Sequence, residues 1–190
     1  MKKYLLALDI GNVCIKIDHR NCPEMLQLPS VPQTLFDLAI AYEHGRIRKE
    51  EEFISRALEI LDHRFTPEFM KKAFNSILIE PVPGMAELVS ELDSLNVEAV
   101  FFSDISPTHL KRTGELFPAF DKVSGGVFSF EAGDSKPSEA MFSRFELLYG
   151  TPSLYTDDRP ELIEAARKRG WNAVQFTSAA DLRKKLIALS

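Results

Sequence analysis

Residues Lys3–Asp18 read KYLLALDIGNVCIKID, and this stretch decides the fold. The apolar run Tyr4–Leu8 stops at Asp9, and Gly11 and Asn12 follow at once. A short apolar run without polar alternation predicts a strand buried on both faces, as in a parallel sheet. In open α/β sheets, the ligand crevice lies at the carboxyl ends of such strands. An acidic residue followed by a glycine turn at that edge is a candidate site. A lone Asp-Gly after a strand is as often a loop cap, so the rest of the chain has to decide.

Moving outward, the pattern changes twice. From Pro23 to about Ser76, apolar residues recur at helical spacing: Leu35, Leu38, Ala39 and Tyr42, then Phe53, Ile54, Ala57, Leu58 and Leu61, then Phe65, Phe69, Ala73 and Phe74. Ser30 ahead of Pro32, and Thr66 directly before Pro67, are expected helix starts, and Gly45 is an expected stop. Phe36, Phe53, Phe65, Phe69 and Phe74 are expected to form the core of this helical segment. Pro81-Val82-Pro83-Gly84 then reads as a rigid connector.

Beyond it, helices and short apolar strands alternate. Helices are expected over Met85–Ser94, Pro107–Leu116, Ser138–Tyr149, Pro160–Arg169 and Ala179–Leu189. Strands are expected over Glu98–Phe102, Lys122–Phe130, Ser153–Thr156 and Ala173–Phe176. This alternation predicts an α/β fold, a Rossmann-like parallel sheet covered on both faces. Residues 1–18 and 81–190 would form the core domain, and residues 19–80 a small helical insertion after the first strand.

Composition narrows the function classes. The 190-residue chain suffices for one core with a small insertion, and its net charge of -5 argues against a nucleic-acid partner. Two cysteines, Cys14 and Cys22, are too few for a disulfide framework. No apolar run is long enough for a membrane span or secretory signal. A cytoplasmic protein without membrane or nucleic-acid partners is expected. Oligomeric state is not legible.

Three strands end in polar groups: Asp9; Ser103 and Asp104; Asp157 and Asp158. A loop between the last two carries Lys136 in AGDSKPSE. A parallel sheet brings all these ends to one edge. Singly, Ser103 is a turn residue, Lys136 a surface lysine, and Asp158 a cap for the helix at Pro160. Together they place carboxylates, a hydroxyl and an ammonium in one crevice.

These motifs carry a family resemblance. DIGNV, VFFSD, the lysine of SKP, and LYTDDRPELIEAARKRGW resemble, in order, the four motifs of the haloacid dehalogenase (HAD) superfamily. The chain is most similar to the phosphatase branch typified by the amino-terminal domain of epoxide hydrolases. The helical insertion resembles that branch's C1-type cap, with Tyr42–Phe53 typical of it.

The resemblance implies a magnesium-dependent phosphatase acting on a small phosphorylated metabolite, such as a sugar phosphate, through an aspartyl-phosphate on Asp9. Asp9, the Gly11 carbonyl and Asp158 would bind Mg2+, with Asp157 acting directly or through water. Lys136, Ser103, Asp104 and the Ile10 and Gly11 backbone would hold the phosphoryl group. His19, Arg20 and Tyr42 are candidates for substrate contact.

Three positions depart from the pattern. Gly11 replaces a second aspartate that serves as general acid and base, an effect worth about 10²–10⁴-fold for a poor leaving group. Such chemistry would favour good leaving groups, or take a proton from Asp104, His19, the substrate or water. Asp104 replaces an asparagine and adds negative charge. Leu162 stands where a further polar residue often follows the acidic pair. Two other readings stay open: haloacid dehalogenation by Asp9, against which the Asp157-Asp158 pair speaks, and a non-catalytic binder of a phosphorylated ligand or protein.

Overall fold

The computed structural model describes residues 3–189. The chain begins with β1 (Tyr4–Leu8) and β2 (Ile15–Ile17). Four helices follow: α1 (Asn21–Met25), α2 (Gln33–Glu43), α3 (Glu50–Ile60) and α4 (Pro67–Asn75). Next come β3 (Leu78–Pro81), α5 (Met85–Glu91), β4 (Val97–Ser103) and α6 (Pro107–Leu116). The remainder is β5 (Gly126–Phe128), the one-turn α7 (Ser129–Ala132), α8 (Glu139–Tyr149), β6 (Leu154–Asp157), α9 (Pro160–Lys168), β7 (Ala173–Gln175) and α10 (Ala179–Ile187).

Five strands form one parallel sheet in the order β5-β4-β1-β6-β7. Alternate side chains point to opposite faces. Leu6, Leu8, Ala99 and Phe101 pack one way, onto Met85, Leu88 and Val89 of α5 and Leu182 and Leu186 of α10. Ala7, Val100, Phe102 and Tyr155 pack the other way, onto Phe142 and Phe145 of α8, Ile163 of α9, and Trp171. Both faces are thus dry, which is why these strands read as unbroken apolar runs. The helix starts use side-chain oxygens to satisfy free amides: Ser106 accepts from His109, Ser138 from Met141, and Ser178 from Asp181.

The helical insert has a core of its own. Tyr42 stacks on Phe53 at 4.6 Å, and Phe53 meets Phe74 at 4.5 Å. Three glutamates open α3, where they oppose the positive end of the helix dipole. Thr66 caps α4 as expected, accepting from the Phe69 amide. An antiparallel ribbon of β2 and β3 joins the insert to the sheet domain. The insert also docks on that domain through Gly45, at φ +66°, where a Cβ would lie 2.1 Å from the Phe130 carbonyl oxygen. Only glycine fits that approach.

Several local expectations are corrected. Ser30 caps nothing: α2 begins after Pro32, too far downstream, and carries no side-chain cap. Phe36 is 51% exposed on the outer face of α2, and Phe65 and Phe69 are only partly buried. Of Lys122–Phe130, only Gly126–Phe128 is strand, because Gly125 at φ +153° turns the chain and α7 starts at Ser129. No helix among the described residues is long and apolar enough to cross a membrane.

Candidate active site

The carboxyl ends of β1, β4 and β6 lie side by side because those strands are neighbours in the sheet. They carry Asp9, Ser103 and Asp157 to one edge. Lys136 reaches them from the loop before α8. Its ammonium donates to Asp9 Oδ1 at 2.8 Å, Asp157 Oδ2 at 2.6 Å and the Phe102 carbonyl at 2.9 Å. All three ammonium donors are therefore used. The side chain is completely shielded from solvent, so the reading of Lys136 as a surface lysine is excluded.

Charge at this depth is tolerated only when paired. Burial alone would lower the Lys136 ammonium, but Asp9, Tyr155 and Asp157 reverse this and hold it well above the ordinary lysine value. Burial pushes the Asp9 carboxyl up, against the pull of Lys136, with Asp157 adding to the rise. Asp157 stays below its ordinary value despite burial, held there by Lys136 and by hydrogen bonds. Tyr155 Oη donates to Asp157 Oδ2 at 2.6 Å, and the Arg159 amide donates to Oδ1 at 3.0 Å. Both oxygens of Asp157 are thus engaged.

Asp158 does not cap α9; the Arg159 amide is served by Asp157. Instead Asp158 Oδ2 accepts from Asn12 Nδ2 at 3.0 Å. Asn12 sits at φ 52° in the turn after Gly11, and its Oδ1 accepts from the Ile17 amide at 3.0 Å. Asparagine tolerates that left-handed backbone, and its amide locks the turn to Asp158. Asp9, Asp157 and Asp158 each offer a carboxylate oxygen within 4.8 Å of the others. Burial raises the Asp158 carboxyl, as does its proximity to Asp157.

Asp104 is neutralised in place. Its Oδ2 accepts from Arg159 Nη2 at 2.7 Å, and its Oδ1 from the Lys136 amide at 2.8 Å. The negative charge expected to disturb an anionic ligand is thereby matched by Arg159, and the same carboxylate fixes the lysine loop. Leu162 is buried on the core side of α9 and takes no part in the site.

Asp9, Asn12, Asp104, Asp158 and Arg159 line a cavity of about 230 Å³ that also presents Ile10, Gly11, His19, Glu43 and His109. The Ser103 hydroxyl lines it and makes no hydrogen bond among the described residues. A Cβ at Gly11 would lie 2.8 Å from Ile17 Cδ1, the far end of a flexible side chain that could shift to admit it. His109 is buried, bonds the Phe74 carbonyl through Nε2 and is pushed down to about 4 by burial, so it is neutral at physiological pH. Arg20 is spent on Asp18, and Tyr42 on Thr108, so neither faces the cavity. His19 lines its exposed mouth.

No protein-family model and no curated protein matches the chain. Solved structures do. The HAD family enzyme BT-2542 from Bacteroides thetaiotaomicron superposes with a TM-score of 0.79 at 19% identity, over 93% of this chain and 94% of that one. The chain has the haloacid dehalogenase fold. A predicted HAD-like family hydrolase from Porphyromonas gingivalis gives 0.77 at 18% identity, over 97% and 98%. L-2-haloacid dehalogenase from Xanthobacter autotrophicus, with chloropropionic acid covalently bound, gives 0.63 at 12%, over 98% and 83%. BT-2542 has been crystallised with magnesium and inorganic phosphate.

Sequence reading of this HAD-fold site missed Asn12, Glu43, Tyr155 and Arg159. Arg159 had a signal, since it directly follows the acidic pair. Tyr155 precedes Asp157 by two residues on β6 and so points to the same face. Glu43 had no such signal, because it lies on the insert.

Proposed function

We propose that the chain is a magnesium-dependent phosphatase of the HAD superfamily, hydrolysing a small phosphomonoester through an aspartyl-phosphate on Asp9. One observation carries this reading: a fully buried Lys136 joins Asp9 to Asp157 at 2.8 and 2.6 Å, with Asp158 alongside. Among the described residues, Asp9, Asp104, Asp157 and Asp158 pair with two permanent cations, Lys136 and Arg159. The excess of negative charge suits one hard divalent cation with oxygen ligands. Asp9, Asp158 and the Gly11 carbonyl would hold it, with Asp157 acting through water because its oxygens already serve Lys136, Tyr155 and Arg159. Magnesium would supply the positive charge that lets a phosphate dianion approach a carboxylate.

The chain's own residues do the rest. Asp9 attacks phosphorus as the ester P–O bond breaks, and water later cleaves the acyl phosphate. Lys136 orients Asp9 and offsets charge on the phosphoryl oxygens. The Ser103 hydroxyl and the main-chain amides of Ile10, Gly11 and Asp104 complete the cradle. The helical insert acts as a cap whose small cavity admits a small phosphorylated metabolite.

Turnover of p-nitrophenyl phosphate by the full chain tests this. It should require magnesium and vanish in Asp9→Asn. Halide release from a 2-haloacid without metal would favour the dehalogenase reading instead. Phosphate binding without turnover of any ester would leave a non-catalytic binder.

A further inference from the structure

Resting on the phosphatase reading, we infer that Glu43, at the end of α2 in the insert, is the general acid and base of the reaction, in place of the aspartate that Gly11 lacks. Asp104 and His109 are excluded by what they already hold. Both Asp104 oxygens accept strong hydrogen bonds, one from Arg159. His109 is buried and neutral, bonded to Phe74. His19 sits at the exposed mouth of the cavity.

Glu43 differs from all of them. It lines the same cavity as Asp9, Ser103 and Arg159, and its carboxyl has no hydrogen-bond or ion-pair partner among the described residues. Its backbone, in contrast, is pinned. Ser129 Oγ donates to the Glu43 carbonyl at 2.8 Å and also lies 3.1 Å from the Ile105 carbonyl, while accepting from the Ile105 amide at 2.9 Å. Ser129 thus ties Glu43 to the loop that follows Ser103. The flanking residues dock too: Tyr42 Oη bonds Thr108 Oγ1 at 2.8 Å, and His44 Nε2 bonds Ser135 Oγ at 2.7 Å. Three consecutive residues of the insert are held on the sheet domain, and the middle one carries a free acid facing the nucleophile's cavity.

The surroundings favour the protonated form of that acid. Burial pushes the Glu43 carboxyl up to about 7, and Asp104 adds to this against the opposing charge of Arg159. Asp9, Asp158, His19 and His109 are the other titratable groups lining the cavity. In the first step Asp9 Oδ bonds to phosphorus, the ester P–O bond breaks, and the Glu43 proton passes to the leaving alkoxide oxygen. In the second, water adds to phosphorus, the Asp9–P bond breaks, and a water proton returns to the Glu43 carboxylate. The chain ends both steps as it began.

The experiment compares kcat/KM of the magnesium-loaded full chain and of Glu43→Gln on glycerol phosphate, an alkyl ester, and on p-nitrophenyl phosphate. The alkyl ester should slow by about 10²–10⁴-fold in the variant. The aryl ester, which needs little protonation, should lose at least tenfold less. In the unmodified protein, alkyl kcat/KM should fall above about pH 7, as Glu43 loses its proton, and the aryl value should fall less. Equal losses on the two esters, or no alkyl loss, overturn the role of Glu43 and leave the phosphatase reading standing. A pH profile that is the same for both esters overturns it even where Glu43→Gln does not fold. Absence of turnover of either ester by the unmodified protein overturns both.

Discussion

The sheet domain and the helical insert handle buried polarity in opposite ways. At the sheet edge, Asp9, Lys136, Asp157, Tyr155, Asp104 and Arg159 form one network in which the donors are matched to carboxylate oxygens. The insert is built around apolar rings, and it sends the Glu43 carboxyl to the cavity with no hydrogen-bond or ion-pair partner among the described residues. A satisfied network is rigid and holds its charges whatever is bound. An unpaired carboxyl keeps its proton available for exchange. The first arrangement suits a nucleophile that must be aimed, and the second suits a group that must gain and lose a proton in each cycle.

The contrast breaks most forcefully at its centre. Lys136→Met removes the one cation that Asp9 and Asp157 share among the described residues, leaving buried Asp9 without an ion-pair partner there and Asp157 with Arg159 at 3.8 Å. Removing one partner of such a pair costs about 3–5 kcal/mol. The sign with pH follows. In the variant, the folded state raises the pKa of both carboxyls and so holds more protons than the unfolded chain, and its stability falls as pH rises. Urea unfolding should therefore show the largest deficit near pH 8 and a smaller one near pH 4. A deficit independent of pH would mean that the network is not what Lys136 supports.

The excess negative charge of the same edge gives the next effect. Magnesium that binds only the folded state stabilises it by about 2.7 kcal/mol at one hundred times its dissociation constant. A thermal melt should shift upward with magnesium, and the shift should be lost in Asp158→Asn. Calcium and magnesium shifting both proteins alike would place the ion elsewhere.

What could be read from the chain follows the same division. Asp9, Ser103, Lys136 and Asp157-Asp158 were legible because strand topology alone carries residues far apart in sequence to one edge. The apolar strands were legible because both faces of the sheet are covered. The place of Asp104 at the sheet edge was legible but not its pairing to Arg159, which depends on where the chain after β6 turns. Glu43 was invisible for a different reason. A glutamate near the end of a helix is ordinarily solvated, and only the docking of Tyr42, His44 and Gly45 on the sheet domain turns it inward. Phe36 failed likewise: helical spacing places it on α2, but the spacing cannot say that this face of the helix meets solvent.

The smallest effect sharpens the comparison most, because it opposes the usual direction of damage. A carboxyl whose pKa rises from an ordinary 4.5 to about 7 on folding holds a proton that the unfolded chain has already released. The folded state therefore loses stability as pH climbs between these two values, and above the upper one the whole cost is present. Glutamine reproduces the protonated form and never pays it. Glu43→Gln should match the unmodified protein below about pH 4 and exceed it above about pH 7. The ceiling is about 3 kcal/mol. Water in the cavity screens the partly buried carboxyl, so a gain of about 1–2 kcal/mol is expected by urea unfolding at pH 8. A variant that is more stable at high pH and slower on alkyl phosphates would show that the insert keeps an unpaired acid at a cost to its own fold. Equal stability at all pH values would instead mean that Glu43 titrates as an ordinary surface carboxylate, and the contrast between the two regions would disappear.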